Sequence, residues 1–325
     1  MNSKIALFFF FPILAWLSNR GEDDGFEHFE TTKLNEMLEI FYAEVKPKDG
    51  GDYSKSSLVG LRAGLNRHLR NPPHKRNINL MNSPEFSSSK RMLWAVIKNL
   101  KKQGLDQSKH HSPIEKNDLS KILNPNAFDQ ADPKQLQEKV FFDIMFNFAR
   151  RGRENLRDLR KTSFTFSTDA SGEEFCEMQY NEKTKNHQSV ETDQTKPRIY
   201  GNNEITCPIK SLKLYLSKLE PNCDTFLQKP ITRKNFKPEN ETVWYTAKCL
   251  GVNTIGNIMK EISKRLNLSK IYTNHCIRAA CITLLAASGF EARQIMRVTG
   301  HKCESSLRAY DHDNTVQQKK TYLQY

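Results

Sequence analysis

Three short stretches decide the reading of this chain: Tyr272-Thr273-Asn274-His275-Cys276-Ile277-Arg278, Val298-Thr299-Gly300-His301 and Leu307-Arg308-Ala309-Tyr310. His275 and Arg278 stand three residues apart, so a helix presents them on one face. Gly300 breaks a helix in front of His301, and Ser305 or Ser306 can start another that presents Tyr310. Tyr310 follows His301 by nine positions, and His301 follows Arg278 by 23. Each residue alone is commonplace; a lone tyrosine near a C-terminus is usually packing or surface. Two spacings and a helix break together rarely coincide by chance.

Working outward, Val140, Phe141, Ile144, Met145 and Phe148 make a buried helical face that runs into Arg150-Arg151-Gly152-Arg153-Glu154. Strand-like stretches follow at 163–167, 174–180 and 189–199. A helix is expected after Pro208, a loop over 220–243, and mostly helix from Asn253 onward. Upstream, a second unit is expected to begin with Ser112 as a helix cap and Pro113 at the first helical position. Residues 107–111 read as a linker. Residues 26–106 read as a small, basic, all-helical unit. Its helices carry Leu34, Met37, Leu38, Phe41 and Val45; then Leu58, Leu61, Leu65 and Leu69 behind a cap at Ser56 or Ser57; then Met92, Leu93, Val96, Ile97 and Leu100. Residues 1–25 are an apolar head, Ile5 to Leu17, and an acidic linker. The head resembles the apolar region of a secretory signal and is too short to span a bilayer comfortably. The alternative is a misassigned start. The expected domains are thus 1–25, 26–106, 107–111 and 112–325, and the fold class is mainly α with a small antiparallel β-sheet.

The 325 residues hold 50 Lys plus Arg against 37 Asp plus Glu, a net charge of +13. Such an excess favours a polyanionic partner, most simply nucleic acid. Seven cysteines without a CxxC pair argue against a disulfide scaffold or a zinc ribbon. Cys276, Cys281 and Cys303 read as buried apolar residues, no metal site is expected, and nothing resembles a Gly-rich nucleotide loop.

The three stretches resemble the C-terminal boxes of the tyrosine recombinases, the phage integrase family. Their wording is similar to that of Crypton mobile-element recombinases and of the C-terminal domains of zinc-finger MYM-type proteins. Cys207 to Leu212 and Val243-Trp244-Tyr245 fit that subgroup. The resemblance implies a helical core-binding domain followed by a catalytic domain, together forming a C-shaped clamp on double-stranded DNA, and tetramers on paired sites. It also implies a first Arg at Arg151, with Glu154 three later; Arg153 competes. A Lys is expected in a β-hairpin, best at Lys185, with Lys183 as the alternative.

The chemistry needs these types. Two Arg forks and a His donor stabilise charge on the equatorial phosphate oxygens. A tyrosine hydroxyl attacks and stores the bond energy in a phosphotyrosyl link, so neither metal, ATP nor another cofactor is required. Lys gives a proton to the departing oxygen. The expected catalytic set is Tyr310 as nucleophile; Arg151, Arg278 and His301 on the phosphate; Lys185 as general acid; and His275 in proton handling or phosphate contact. Arg62, Arg67, Arg70, Lys98, Lys101, Arg150 and Arg153 are the expected DNA-backbone contacts. The expected location is the nucleus, with no membrane attachment, or outside the cell if the head is a real signal. The rival reading is a domesticated DNA-binding or chromatin protein that no longer cuts.

Overall fold

The computed structural model describes residues 3–105, 112–179, 197–202, 204–301 and 303–307, of 3–10 the backbone only. The chain falls into two compact units, Met1–Lys109 and His110–Tyr325.

The first unit is helical. Its helices are α1 (Ser3–Arg20), α2 (Thr31–Glu44), α3 (Lys55–Arg70) and α4 (Ser87–Lys102). The apolar head folds into this unit. Ile13 and Leu17, one turn apart on α1, are fully buried with Phe26, Phe41 and Leu61 in one core. Trp16 meets Phe41 edge-on at 5.5 Å and donates its indole N–H to Glu44, which also receives Arg20. The structure therefore has no break at residue 25, because the head and Phe26 share apolar neighbours. Among the described residues no helix is long and apolar enough to cross a membrane. Ser54 caps α3, its Oγ accepting from the Ser57 N–H; in this serine run the cap lies two residues before Ser56. Arg62, expected on DNA phosphate, is 5% exposed and donates to the Leu80 and Met81 carbonyls. Its charge holds the loop after α3, which corrects that expectation.

The second unit contains α5 (Lys116–Ile122), α6 (Pro133–Asn147), a three-stranded antiparallel sheet of β1 (Phe164–Thr168), β2 (Glu174–Met178) and β3 (Arg198–Tyr200), then α7 (Pro208–Lys218). A two-stranded ribbon of β4 (Gln228–Pro230) and β5 (Tyr245–Cys249) precedes α8 (Val252–Arg265), α9 (Asn274–Ala287) and α10 (Ala292–Thr299). The chain is thus mainly helical with small antiparallel sheets. Cys176 at the middle of β2 pairs with Phe166 and Ile199 on either side. Two local expectations change. The first helix starts at Lys116 rather than behind Ser112, and β4 lies inside the expected 220–243 loop.

Helix α6 is buried on nearly every side, so its polar residues are matched individually. Asp132 caps it and Pro133 occupies its first turn. The Gln137 amide donates to Tyr215 and to the Gln228 carbonyl. Glu138 pairs with Arg265, and Lys139 donates to Asp143 at 2.5 Å. Burial raises the Asp143 carboxyl to about 6 despite Lys139.

Candidate active site

Helix α6 ends in a turn that aims the following arginines. Ala149 adopts a left-handed conformation, φ 46°. Its N–H reaches the Phe146 carbonyl and that of Arg150 reaches the Met145 carbonyl, the two bonds of a Schellman cap. The Ala149 carbonyl is then an acceptor for Arg278.

Arg278 lies in the second turn of α9, whose start is fixed by Thr273 and Cys276 in a reciprocal cap. Asn274 is 1% exposed and ties three segments together. Its amide N donates to the Gly152 and Ile255 carbonyls, and its Oδ1 accepts from the Met259 N–H. Gly152 lies flat against the next residue: a Cβ there would stand 2.7 Å from the His275 backbone nitrogen. His275 is therefore packed directly beside the arginine segment.

Arg278 is 8% exposed and bridges two segments. One terminal nitrogen donates to the Ala149 carbonyl, the other to Thr299 at 2.6 Å. The latter also sits 3.3 and 3.2 Å from the two ring nitrogens of His301. Gly300, at φ 68°, ends α10 and turns the chain so that His301 faces this guanidinium. The Thr299 hydroxyl donates to the Ile295 carbonyl and lies 2.7 Å from His301 Nδ1. With its proton committed there, the hydroxyl oxygen accepts from Nδ1–H, which leaves Nε2 towards Arg278. Burial, then the charges of Arg278 and Arg151, lower His301 to about 4. At neutral pH it is an uncharged imidazole in an electropositive site. The same two charges that repel a proton attract an oxyanion.

Arg151 donates to Glu154 at 2.6 Å, which orients it. Arg153 takes another course: its Nε stands 3.6 Å from where a Gly256 Cβ would be, on α8. Of the two competing arginines, Arg151 is the one whose charge acts on His301.

The structure thus brings together Arg151, His275, Arg278 and His301 from three stretches of chain. Lys183, Lys185 and Tyr310 lie outside the described residues. The two lysines fall between β2 and β3, which pair antiparallel. Tyr310 comes three residues after Leu307, which packs on Ile282 and Ile295 of α9 and α10. Arg67, Arg70, Lys98, Lys101 and Arg153 are exposed; Arg150 is half-buried, its guanidinium near the Met178 sulfur. Cys276 and Cys281 are buried as expected, whereas Cys303 is exposed. Sequence reasoning missed Asn274, Gly152 and Thr299, which build the site without being chemical groups of it.

Residues 134–317 match the model of the phage integrase family. The match covers more than half of the chain, which belongs to this family, the tyrosine recombinases. Two curated relatives are the uncharacterized protein KIAA1958 of Homo sapiens and its homolog in Mus musculus, each 24% identical over 246 residues. That alignment covers 73% of this chain and 33% of each relative, so the chain spans about a third of their length. Similar solved structures include the XerH site-specific recombinase bound to palindromic difH substrate, at TM-score 0.49 and 15% identity, covering 93% of this chain and 74% of that one. XerA recombinase aligns at TM-score 0.39 and 14% identity over 97% of both chains. The Tn1549 transposon integrase with circular intermediate DNA aligns at TM-score 0.40 and 15% identity, over 93% of this chain and 94% of that one.

Proposed function

We propose that this chain is a site-specific DNA recombinase that cuts and rejoins double-stranded DNA through a 3′-phosphotyrosyl intermediate. The observation that carries the reading is the electropositive cluster of Arg278, His301 and Arg151, packed beside His275. The Tyr310 hydroxyl attacks the scissile phosphorus. The bond from phosphorus to the 5′ oxygen breaks, and Lys185 supplies the proton that oxygen takes up. The Tyr310 proton leaves through His275 or water. Arg151 and Arg278 neutralise the equatorial oxygens, and His301 Nε2 adds a donor once phosphate raises its proton affinity. The phosphotyrosyl bond is equivalent in energy to the diester it replaces, so a 5′ hydroxyl can reverse the step with no ATP, metal or other cofactor.

The first unit, residues 26–106 in particular, is assigned to DNA-backbone binding through Arg67, Arg70, Lys98 and Lys101. Catalysis is assigned to 112–325, and assembly to a homotetramer on paired sites. The Crypton-like wording around His275 and His301 supports a eukaryotic mobile-element origin, related to the zinc-finger MYM-type proteins, and a nuclear site of action. The test is incubation with nicked suicide duplexes tiled from the DNA flanking its gene. A denaturant-resistant adduct with the wild type and none with Tyr310→Phe is expected. DNA binding by the wild type with no adduct on any duplex selects the domesticated binding protein instead.

A further inference from the structure

The first unit holds a cluster that the recombinase chemistry does not use. Glu27 lies in the turn Phe26–His28, His68 in the last turn of α3, and His74 in the loop beyond it. One ligand atom from each lies within 4.8 Å of the other two. His68 Nε2 is 2.7 Å from Glu27 Oε1, and His74 Nε2 is 4.0 Å from that same oxygen. The two imidazole rings are 4.4 Å apart by centroid, and all three side chains are partly buried. The backbone beneath is also tied: Arg76 donates to the Glu27 carbonyl at 3.0 Å, and its own N–H to the Leu69 carbonyl at 2.7 Å.

We infer that Glu27, His68 and His74 bind one Zn²⁺ ion, which clips the end of α3 to the turn before α2. Two imidazoles and one carboxylate are a zinc ligand set. Zn–N and Zn–O bonds near 2.1 Å in a tetrahedron put ligand atoms about 3.4 Å apart. The observed 2.7 and 4.0 Å from Glu27 to the two histidines bracket that value. In the metal-free form, Glu27 and His68 bond to each other instead. Water would complete the coordination of the ion. The clip would join residues 41 positions apart and fix the helix end that presents Arg67 and Arg70. Glu27 stands 41 positions before His68, so no short motif unites the three ligands.

The test uses the full chain, purified without a histidine tag and stripped with a chelator. Titration with Zn²⁺ against a chromophoric chelator should show one tight equivalent, and Zn²⁺ should raise the thermal midpoint. Co²⁺ in its place should give weak visible bands without the intense near-ultraviolet band of a thiolate ligand. His74→Gln and Glu27→Gln, checked for native circular dichroism, should each weaken binding more than about a hundredfold, beyond the loss of an outer partner. Independently of any variant, Zn²⁺ should protect His68 and His74 of the wild type from diethyl pyrocarbonate, read by mass spectrometry. No tight equivalent, a thiolate band with Co²⁺, or unprotected His68 and His74 would each overturn the proposal. So would an equivalent retained in a folded His74→Gln chain.

Discussion

A histidine half-buried beside two guanidinium groups gives up its proton easily, burial first and the charges second, and at His301 this has two measurable consequences. Its pKa in the fold, about 4, lies below the 6.5 of an unfolded histidine. Between those values the unfolded chain holds more protons, so the stability linked to His301 falls as pH drops from about 6.5 towards 4. His301→Gln should remove that part of the pH dependence of the thermal midpoint. Binding of a phosphodiester should reverse the balance, moving the His301 resonances in NMR titrations from about 4 back towards 6.5. Unchanged titration in the presence of bound DNA would mean that phosphate does not reach this ring. Gly152→Ala tests the contact behind His275. Its Cβ would stand 2.7 Å from a backbone nitrogen, so the start of α9 must move. A loss of about 1–3 kcal/mol in denaturant unfolding is expected, and a larger loss of covalent adduct than of DNA affinity. His275, Arg278 and His301 were legible because their spacing is local. Asn274 and Gly152 were not, because their partners are Ile255, Met259 and His275, and no local pattern encodes a tertiary contact. Arg62 was misread for the same reason: its acceptors, the Leu80 and Met81 carbonyls, leave no trace in residue type.

Helices are legible where an apolar stripe repeats, and the stripes of α2, α3 and α4 coincide with buried faces. Helix α6 is a harder case, since burial on all sides erases its periodicity and admits a charged pair. Lys139 and Asp143 are matched to each other, and Lys139 also reaches the Thr206 carbonyl. Lys139→Met alone should cost about 3–5 kcal/mol in chemical denaturation, because it strands a buried carboxyl. Adding Asp143→Leu should return most of that loss; additive losses in the double-mutant cycle would contradict the pairing. Elements of three residues carry no period, so β4 was invisible within a stretch rich in Pro, Asn and Lys. The apolar head shows a further ambiguity. An unbroken hydrophobic run reads alike as an export signal or a buried helix, and only Ile13 and Leu17 against Phe26 and Phe41 show it packed in the first unit.

At the scale of the whole chain, the +13 charge is distributed over two units that each present exposed cations. DNA affinity should fall steeply with salt, the log–log slope being about −0.9 per phosphate contacted. Lys98→Gln with Lys101→Gln should flatten that slope by about 2, whereas Arg62→Gln should lower thermal stability and leave the slope alone. An unaltered slope in the lysine pair would remove α4 from the DNA interface. The two-unit organisation reflects hydrophobic cores that each lie within one unit. Two runs of amphipathic helices signal them, and the recombinase boxes fall within the second unit. Covalent catalysis is read from the identity of the residue linked to DNA. Adducts from suicide duplexes would be digested with nuclease and protease, and the nucleotide-bearing peptide sequenced by mass spectrometry. A nucleotide on Tyr310 is expected, absent after Tyr310→Phe and strongly reduced after Arg278→Gln. A nucleotide on another residue, or DNA binding with no linked peptide on any flanking duplex, would contradict it.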